Sequence, residues 1–233
     1  MNLLLISNST NAGEEYLQYP IAQIAKHLEG VSEVVFIPYA AVTFSYAAYE
    51  AKVQARFNEI GIKVRSVHRA ANPRHMIRNA QAICVGGGNT FALTKKMQEQ
   101  GLMQAIRRKI AEGTPYVGWS AGSNVCCPTI CTTNDMPIVQ PESFKAIGAV
   151  KFQINPHSLD ANPEGHAGET REQRIMEYIE ANPRRWVVGL REGCMLRVEG
   201  DKMELIGSRP MRIFKKGVQT YEVNAGDDLS FLM

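Results

Sequence analysis

The sequence has no long hydrophobic run. Nowhere do about 18 apolar residues follow one another, so no segment predicts a membrane-spanning helix. It also lacks an excess of either charge. The 26 Lys and Arg stand against 23 Asp and Glu, leaving +3, too mild a balance to imply a nucleic-acid surface. The densest basic stretch, Arg107-Arg108-Lys109, falls on a helical pattern and reads as a solvated face. Neither a membrane nor a nucleic acid is therefore an expected partner. Cysteine is scarce and unpaired in pattern. Cys126 and Cys127 are adjacent, Cys131 follows, and Cys84 and Cys194 stand alone. Five thiols without framework spacing exclude a disulfide scaffold. The absence of Cys-x-x-Cys and His-Glu-x-x-His argues against zinc, and no metal or organic cofactor is expected. The opening Met1–Ser7 stretch lacks the basic start and apolar length of a secretion signal. With free thiols, that points to a reducing compartment, and the cytosol is the expected location.

What is present suits an ordinary globular domain: 233 residues, 45% apolar and 21% charged. Such a chain buries a full core without staples. No repeat, low-complexity stretch or linker divides it, so residues 1–233 are expected to form one domain. Over the first 120 residues, short apolar runs alternate with amphipathic stretches. The runs are Leu3–Ile6, Val34–Ile37, Val64–Val67, Ala82–Val85 and Tyr116–Trp119. The helical stretches are Tyr16–Leu28, Ser45–Ile60, Pro73–Ala80, and Thr90–Glu112 broken at Gly101. In the second, Tyr46, Tyr49, Val53, Phe57 and Ile60 recur every three or four positions. This pattern predicts a doubly wound α/β fold, a mostly parallel sheet with helices on both faces. Its site should lie beyond the carboxyl ends of the strands. Later, residues 127–147 read as loop with short strands. Val150–Ile154 and Trp186–Leu190 read as strands and Thr170–Ala181 as a helix. From Cys194 a β meander turns at Gly200-Asp201 and Lys216-Gly217.

Gly118-Trp119-Ser120-Ala121-Gly122 fits the G-x-S-x-G nucleophile elbow. A chain turning sharply from strand into helix needs small residues two before and two after the serine. The turn lifts the Ser120 hydroxyl clear of the sheet and aims the Ala121 N–H at the same space. A second small-residue loop, Val85-Gly86-Gly87-Gly88-Asn89-Thr90, also follows a strand and opens a helix. It fits neither a P-loop nor G-x-G-x-x-G. It reads as a source of oxyanion N–H groups, with a phosphate cradle or a structural turn as the other readings. The base should be a histidine past a strand end. His27 and His75 sit on helical patterns, while His68, His157 and His166 stand near strand ends or in loops.

With these stretches in view, the chain resembles peptidase E, the α-aspartyl dipeptidases, which are cytosolic serine peptidases. The resemblance is carried by Leu4-Leu5-Ile6-Ser7-Asn8-Ser9-Thr10, Val85–Phe91, Gly118–Gly122 and Thr132-Thr133-Asn134-Asp135-Met136-Pro137-Ile138-Val139. Ile154-Asn155-Pro156-His157, Pro163-Glu164-Gly165-His166 and Gly168–Ile175 complete it, in order. It implies a fold like that of class I glutamine amidotransferases, with Ser120 as nucleophile and His157 as its base. The Gly88 and Ala121 N–H groups would form the oxyanion hole. The implied substrates are dipeptides, and some short peptides or amides, with aspartate first. The match is weaker after Gly193. The acid that orients His157 stays open between Asp135, in a shared block, and Glu192, beyond the Trp186–Leu190 strand. A site reading an aspartate side chain must pair its carboxylate. Arg171, in the first turn of a helix after the His157 loop, suits that task, with His166 and Asn89 as further hydrogen-bonding groups. Another hydrolase on the same scaffold, cyanophycinase-like or an esterase, and a non-enzymatic nucleotide-binding module are the rival readings.

Overall fold

A computed structural model describes residues 1–160 and 168–233. The five apolar runs form strands β1 (Asn2–Ile6), β2 (Glu33–Ile37), β3 (Lys63–Ser66), β4 (Ile83–Val85) and β5 (Tyr116–Trp119). They pair in parallel in the order β3-β2-β4-β5-β1. Between them lie α1 (Ile21–His27), α2 (Tyr46–Phe57), α3 (Pro73–Arg78), α4 (Thr90–Glu99) and α5 (Leu102–Ala111). Strand side chains alternate between faces. Leu3, Leu5, Val35 and Ile37 pack with residues of α3, α4 and α5, whereas Leu4, Ile6, Val34 and Phe36 pack with those of α1 and α2. Both faces of the inner strands are covered, which is why the runs of β1, β2 and β4 are apolar, whereas edge strand β3 alternates, with Lys63 and Arg65 exposed.

The second half adds α6 (Ala121–Asn124), β6 (Gln153–Ser158), α7 (Arg171–Ala181), β7 (Val187–Arg191), β8 (Met195–Glu199), β9 (Lys202–Ile206), β10 (Met211–Lys215) and β11 (Val218–Val223). The expected single meander is instead divided between two sheets. β8 runs antiparallel to β1, and β9 follows it, extending the large sheet to seven strands. β10 and β11 join β7 and β6 in a second sheet ordered β11-β10-β7-β6. The two hairpin turns fall where expected, but a turn does not say which sheet its strands enter. Burial decides that. Met195 of β8 packs on one face of the large sheet and Leu196 and Val198 on the other. Ile213 of β10 packs into the core shared by both sheets, while Phe214 faces Ile175 and Ile179 of α7.

Three other expectations change. Only Ile21–His27 of the predicted Tyr16–Leu28 helix is helical, because Pro20 stands at its N-cap and Leu17 adopts φ +54°. β6 begins three residues later than predicted and runs through Pro156 and His157. Pro156 is tolerated there because β6 is an edge strand. Residues 127–147 hold no strand, only the bridge from Thr129 to Lys145. Among the described residues no helix is long and apolar enough to cross a membrane.

His27, on α1, is 6% exposed. Burial, and then the Arg197 cation, lower its pKa from 6.5 to about 4. Between those values the unfolded chain binds more protons than the folded one. Its contribution is therefore complete above about pH 6.5 and is lost as pH falls toward 4. His27→Gln should flatten the decline of the urea midpoint across that window; an unchanged slope would contradict a buried neutral imidazole.

Candidate active site

At the end of β5 the chain turns through Ser120, at φ +53° and ψ −112°, straight into α6. The steric reason for the flanking glycines is direct. A Cβ on Gly122 would lie 2.0 Å from the Val85 carbonyl oxygen, and one on Gly118 would lie 2.4 Å from that of Gly122. α6 therefore sits against β4 with no room for a side chain between them. The Ser120 N–H donates to Ile6 O at 3.0 Å, tying the elbow to β1.

His157 comes from the second sheet. The β6–β7 register shifts between Asn155 and Ser158, and His157 sits in this irregularity at φ +52°. Bulges re-aim side chains, and here the imidazole is turned toward the elbow. Its Nε2 lies 2.9 Å from Ser120 Oγ and its Nδ1 2.6 Å from Glu192 Oε1. Ser120, His157 and Leu17 are the non-glycine residues with positive φ among those described. Two of the three thus meet in one hydrogen bond, the pattern of backbone strain gathered at a functional site.

The buried Ser7 hydroxyl fixes the His157 backbone. It accepts from the His157 N–H at 2.9 Å and donates to Leu190 O at 2.7 Å. Glu192 follows β7 directly, and the turn after it is held by Asn8 Oδ1. That oxygen accepts from the Gly193 N–H at 2.8 Å and from the Tyr19 hydroxyl at 2.7 Å. Asp135, the other carboxylate weighed for this position, is not the one on His157. Its Oδ2 accepts from the Thr90 N–H at 2.7 Å and from the Thr133 hydroxyl at 3.1 Å, pinning its loop to the start of α4.

Facing the elbow is the glycine loop after β4. Gly88 adopts φ +131°, and a Cβ there would lie 2.3 Å from the Ala40 carbonyl oxygen. The Gly88 and Ala121 N–H groups take no acceptor among the described residues. The loop is braced from below. The buried Tyr49 hydroxyl donates to Gly87 O at 2.9 Å and lies 3.1 Å from the Trp119 indole nitrogen. Asn89 does not present a free amide to a substrate. Its Oδ1 caps α4 by accepting from the Ala92 N–H, and its Nδ2 donates to Met136 O.

Arg171 opens α7 and is half-buried. Its Nη1 donates to His157 O at 2.7 Å. The acidic neighbours that could have paired with it are taken by others: Glu172 bonds Arg212 through both oxygens, and Glu169 meets Arg174. Among the described residues Arg171 forms no ion pair. Burial, then the Arg174 charge, lower its pKa, while the carboxylates of Glu192 and Asp135 oppose that shift. His166 lies outside the described residues. Among those described, no group of three or more His, Cys, Asp or Glu is placed to hold a metal ion.

A hydroxyl, an imidazole and a carboxylate in line is an arrangement suited to acyl transfer. Comparison with known proteins agrees in class. The model of peptidase family S51 matches residues 3–206. The chain belongs to peptidase family S51. A peptidase E from Nostoc sp. (strain PCC 7120) is 48% identical over 232 residues, covering 99% of this chain and 96% of that one. A peptidase E from Salmonella arizonae is 45% identical over 226 residues, covering 97% and 99%. The structure of a peptidase from an acI-B1 Actinobacterium, 17% identical, superposes with a TM-score of 0.72 over 97% of this chain and 95% of that one. The protein is thus a serine peptidase of family S51 with the fold that the strand–helix alternation predicted.

Sequence reasoning missed the residues that position this S51 site. Ser7 and Asn8 stood in a family-like block without a role, and Tyr19, Tyr49 and Asn134 carried none. Asn134 donates to Pro156 O at 2.6 Å and accepts from Asn155, bracing the strand that carries His157. The available signal was position: Ser7 and Asn8 are polar residues at the carboxyl end of a strand buried on both faces. Ser7→Ala would leave the His157 N–H and Leu190 C=O without their partner. It should cost about 1–3 kcal/mol in urea unfolding; a wild-type midpoint would show that the bridge is dispensable.

Proposed function

We propose that the protein is a serine dipeptidase that cleaves dipeptides, and some short peptides or amides, after an N-terminal aspartate. The observation that carries this reading is the continuous, partly exposed Ser120–His157–Glu192 line, beside an Arg171 that no described carboxylate pairs. In this mechanism His157 Nε2 takes the Ser120 proton as Oγ attacks the carbonyl carbon. Glu192 holds the imidazole in the tautomer that can accept it and stabilises the imidazolium formed. The Gly88 and Ala121 N–H groups receive the oxyanion. His157 then passes its proton to the leaving amine, and the aspartyl ester remains on Ser120. Water, deprotonated by His157, attacks that ester, and the serine regains its proton as aspartate leaves. Five free thiols suit a cytosolic setting.

Specificity rests on Arg171 in this reading. A planar guanidinium with donors to spare suits a carboxylate better than an amide or a methyl group. The test is a panel of Asp-X, Asn-X and Ala-X dipeptides with simple esters alongside. Arg171→Ala should lose about 2–5 kcal/mol of transition-state binding for Asp-X, with little change for Asn-X and Ala-X. Equal losses on all would mean that Arg171 serves only to hold the His157 carbonyl.

The line of three groups is tested separately. Ser120→Ala should lower kcat on the order of a millionfold. Glu192→Gln should lower it by about 10⁴, because an amide favours the wrong tautomer. A Ser120→Ala protein retaining a tenth of the activity would rule out the covalent route.

A further inference from the structure

Among the described residues, Asp135 is a carboxylate without a cation. Its loop is stapled through Oδ2 alone, to the Thr90 N–H and the Thr133 hydroxyl. Among the described residues its Oδ1 accepts no hydrogen bond, and Asp135 enters no ion pair. It is partly buried. Its second oxygen is available to a cation or a donor. Its position is set by the glycine loop: Thr90, which it binds, lies three residues beyond Gly87, which packs against Ser120. Arg171 reaches the same strand end: Asn134, next to Asp135, donates to Pro156 O, and the half-buried Arg171 guanidinium bonds, among the described residues, the carbonyls of Pro156 and His157. The Asp135 carboxylate is among the groups that oppose the lowering of the Arg171 pKa, yet among the described residues no ion pair joins the two.

A site holding one cation and one anion that no described residue pairs fits a ligand carrying both charges. An N-terminal aspartyl residue is such a ligand. Its side-chain carboxylate and its α-ammonium branch from a single α-carbon, which is bonded to the carbonyl carbon that Ser120 would attack. Resting on the aspartyl-dipeptidase reading above, we propose that Asp135 receives the substrate's α-ammonium and so restricts cleavage to the first peptide bond. A residue acylated on its nitrogen has no cation there and would leave the carboxylate unpaired. Asp135 is on this account a substrate-binding residue and takes no part in proton transfer, which explains why a second carboxylate stands near a line that needs only one.

The test uses two amides that differ only in the ammonium: aspartyl α-p-nitroanilide and its des-amino counterpart, succinyl p-nitroanilide. Wild-type protein should favour the aspartyl compound by about a hundredfold or more in kcat/KM, in line with the cost of removing one partner of a charge pair. Asp135→Asn keeps an oxygen for Thr90 and Thr133 but removes the charge. It should abolish most of that preference by a loss on the aspartyl compound, mainly in KM, with the succinyl compound changed less than about threefold. Asp135→Glu, which keeps the charge, should retain much of the preference and guards against a variant that merely unfolds. Equal losses on both compounds in Asp135→Asn, or a preference that survives it, would overturn the proposal while leaving the dipeptidase reading intact. Wild-type protein that cleaves neither compound nor any Asp-X dipeptide would overturn both.

Discussion

One buried hydroxyl joins the two sheets at the point where the site depends on them. Ser7 ends β1 in the middle of the large sheet. Its Oγ bonds Leu190 of β7 and the His157 N–H of β6, both in the small sheet. Ser120 stands on the large sheet, and His157 and Glu192 on the small one. Their line of hydrogen bonds can exist only if the sheets dock in one register to within a few tenths of an ångström. Apolar burial supplies the docking energy: Leu3, Val85, Ile154, Val188 and Ile213 belong to a single core. Burial alone is non-directional, so the register needs directional bonds. Ser7 supplies two, and Asn8, next along the chain, fixes the turn after Glu192.

Rigidity on the opposite side comes from close backbone contact. α6 approaches β4 so nearly that Gly122 leaves no space for a methyl group. The Tyr49 hydroxyl, whose pKa burial raises, ties the glycine loop and Trp119 together. The elbow and the loop that faces it are thus held by one packed unit, and the strained φ values of Ser120 and His157 persist because their surroundings over-determine them. Four of the five thiols are buried. Burial raises their pKa values, that of Cys127 to about 12, and keeps these thiols as inert packing groups near a nucleophile of different chemistry.

Much of the fold was legible because both-face burial writes apolar runs, on which β1, β2, β4 and β5 fall, while edge strand β3 shows the alternation of one buried face. Sheet membership of the C-terminal hairpins was not legible. β8 and β10 have similar alternation, and only the three-dimensional partners of Met195 and Phe214 separate them. Within the site, Ser120 could be located from glycine spacing, since the steric demand is local. The choice between Asp135 and Glu192 could not, because it depends on a bulge in β6 and on a bond from Gly193 to Asn8, 185 positions away. Asn89 was ambiguous for a related reason. Its place after the glycine loop suits a ligand group and an N-cap equally; its Oδ1 caps α4 and its Nδ2 donates to Met136 O.

The central claim is that the two sheets together present Ser120 Oγ as a nucleophile that becomes acylated. The most direct measurement is rapid acid quench during turnover of aspartyl α-p-nitroanilide, followed by peptide mass spectrometry. The account predicts an aspartyl ester on the peptide that contains Ser120, appearing in a burst with released p-nitroaniline and decaying as aspartate forms. Turnover with no adduct, or with an adduct on any other residue, would contradict it.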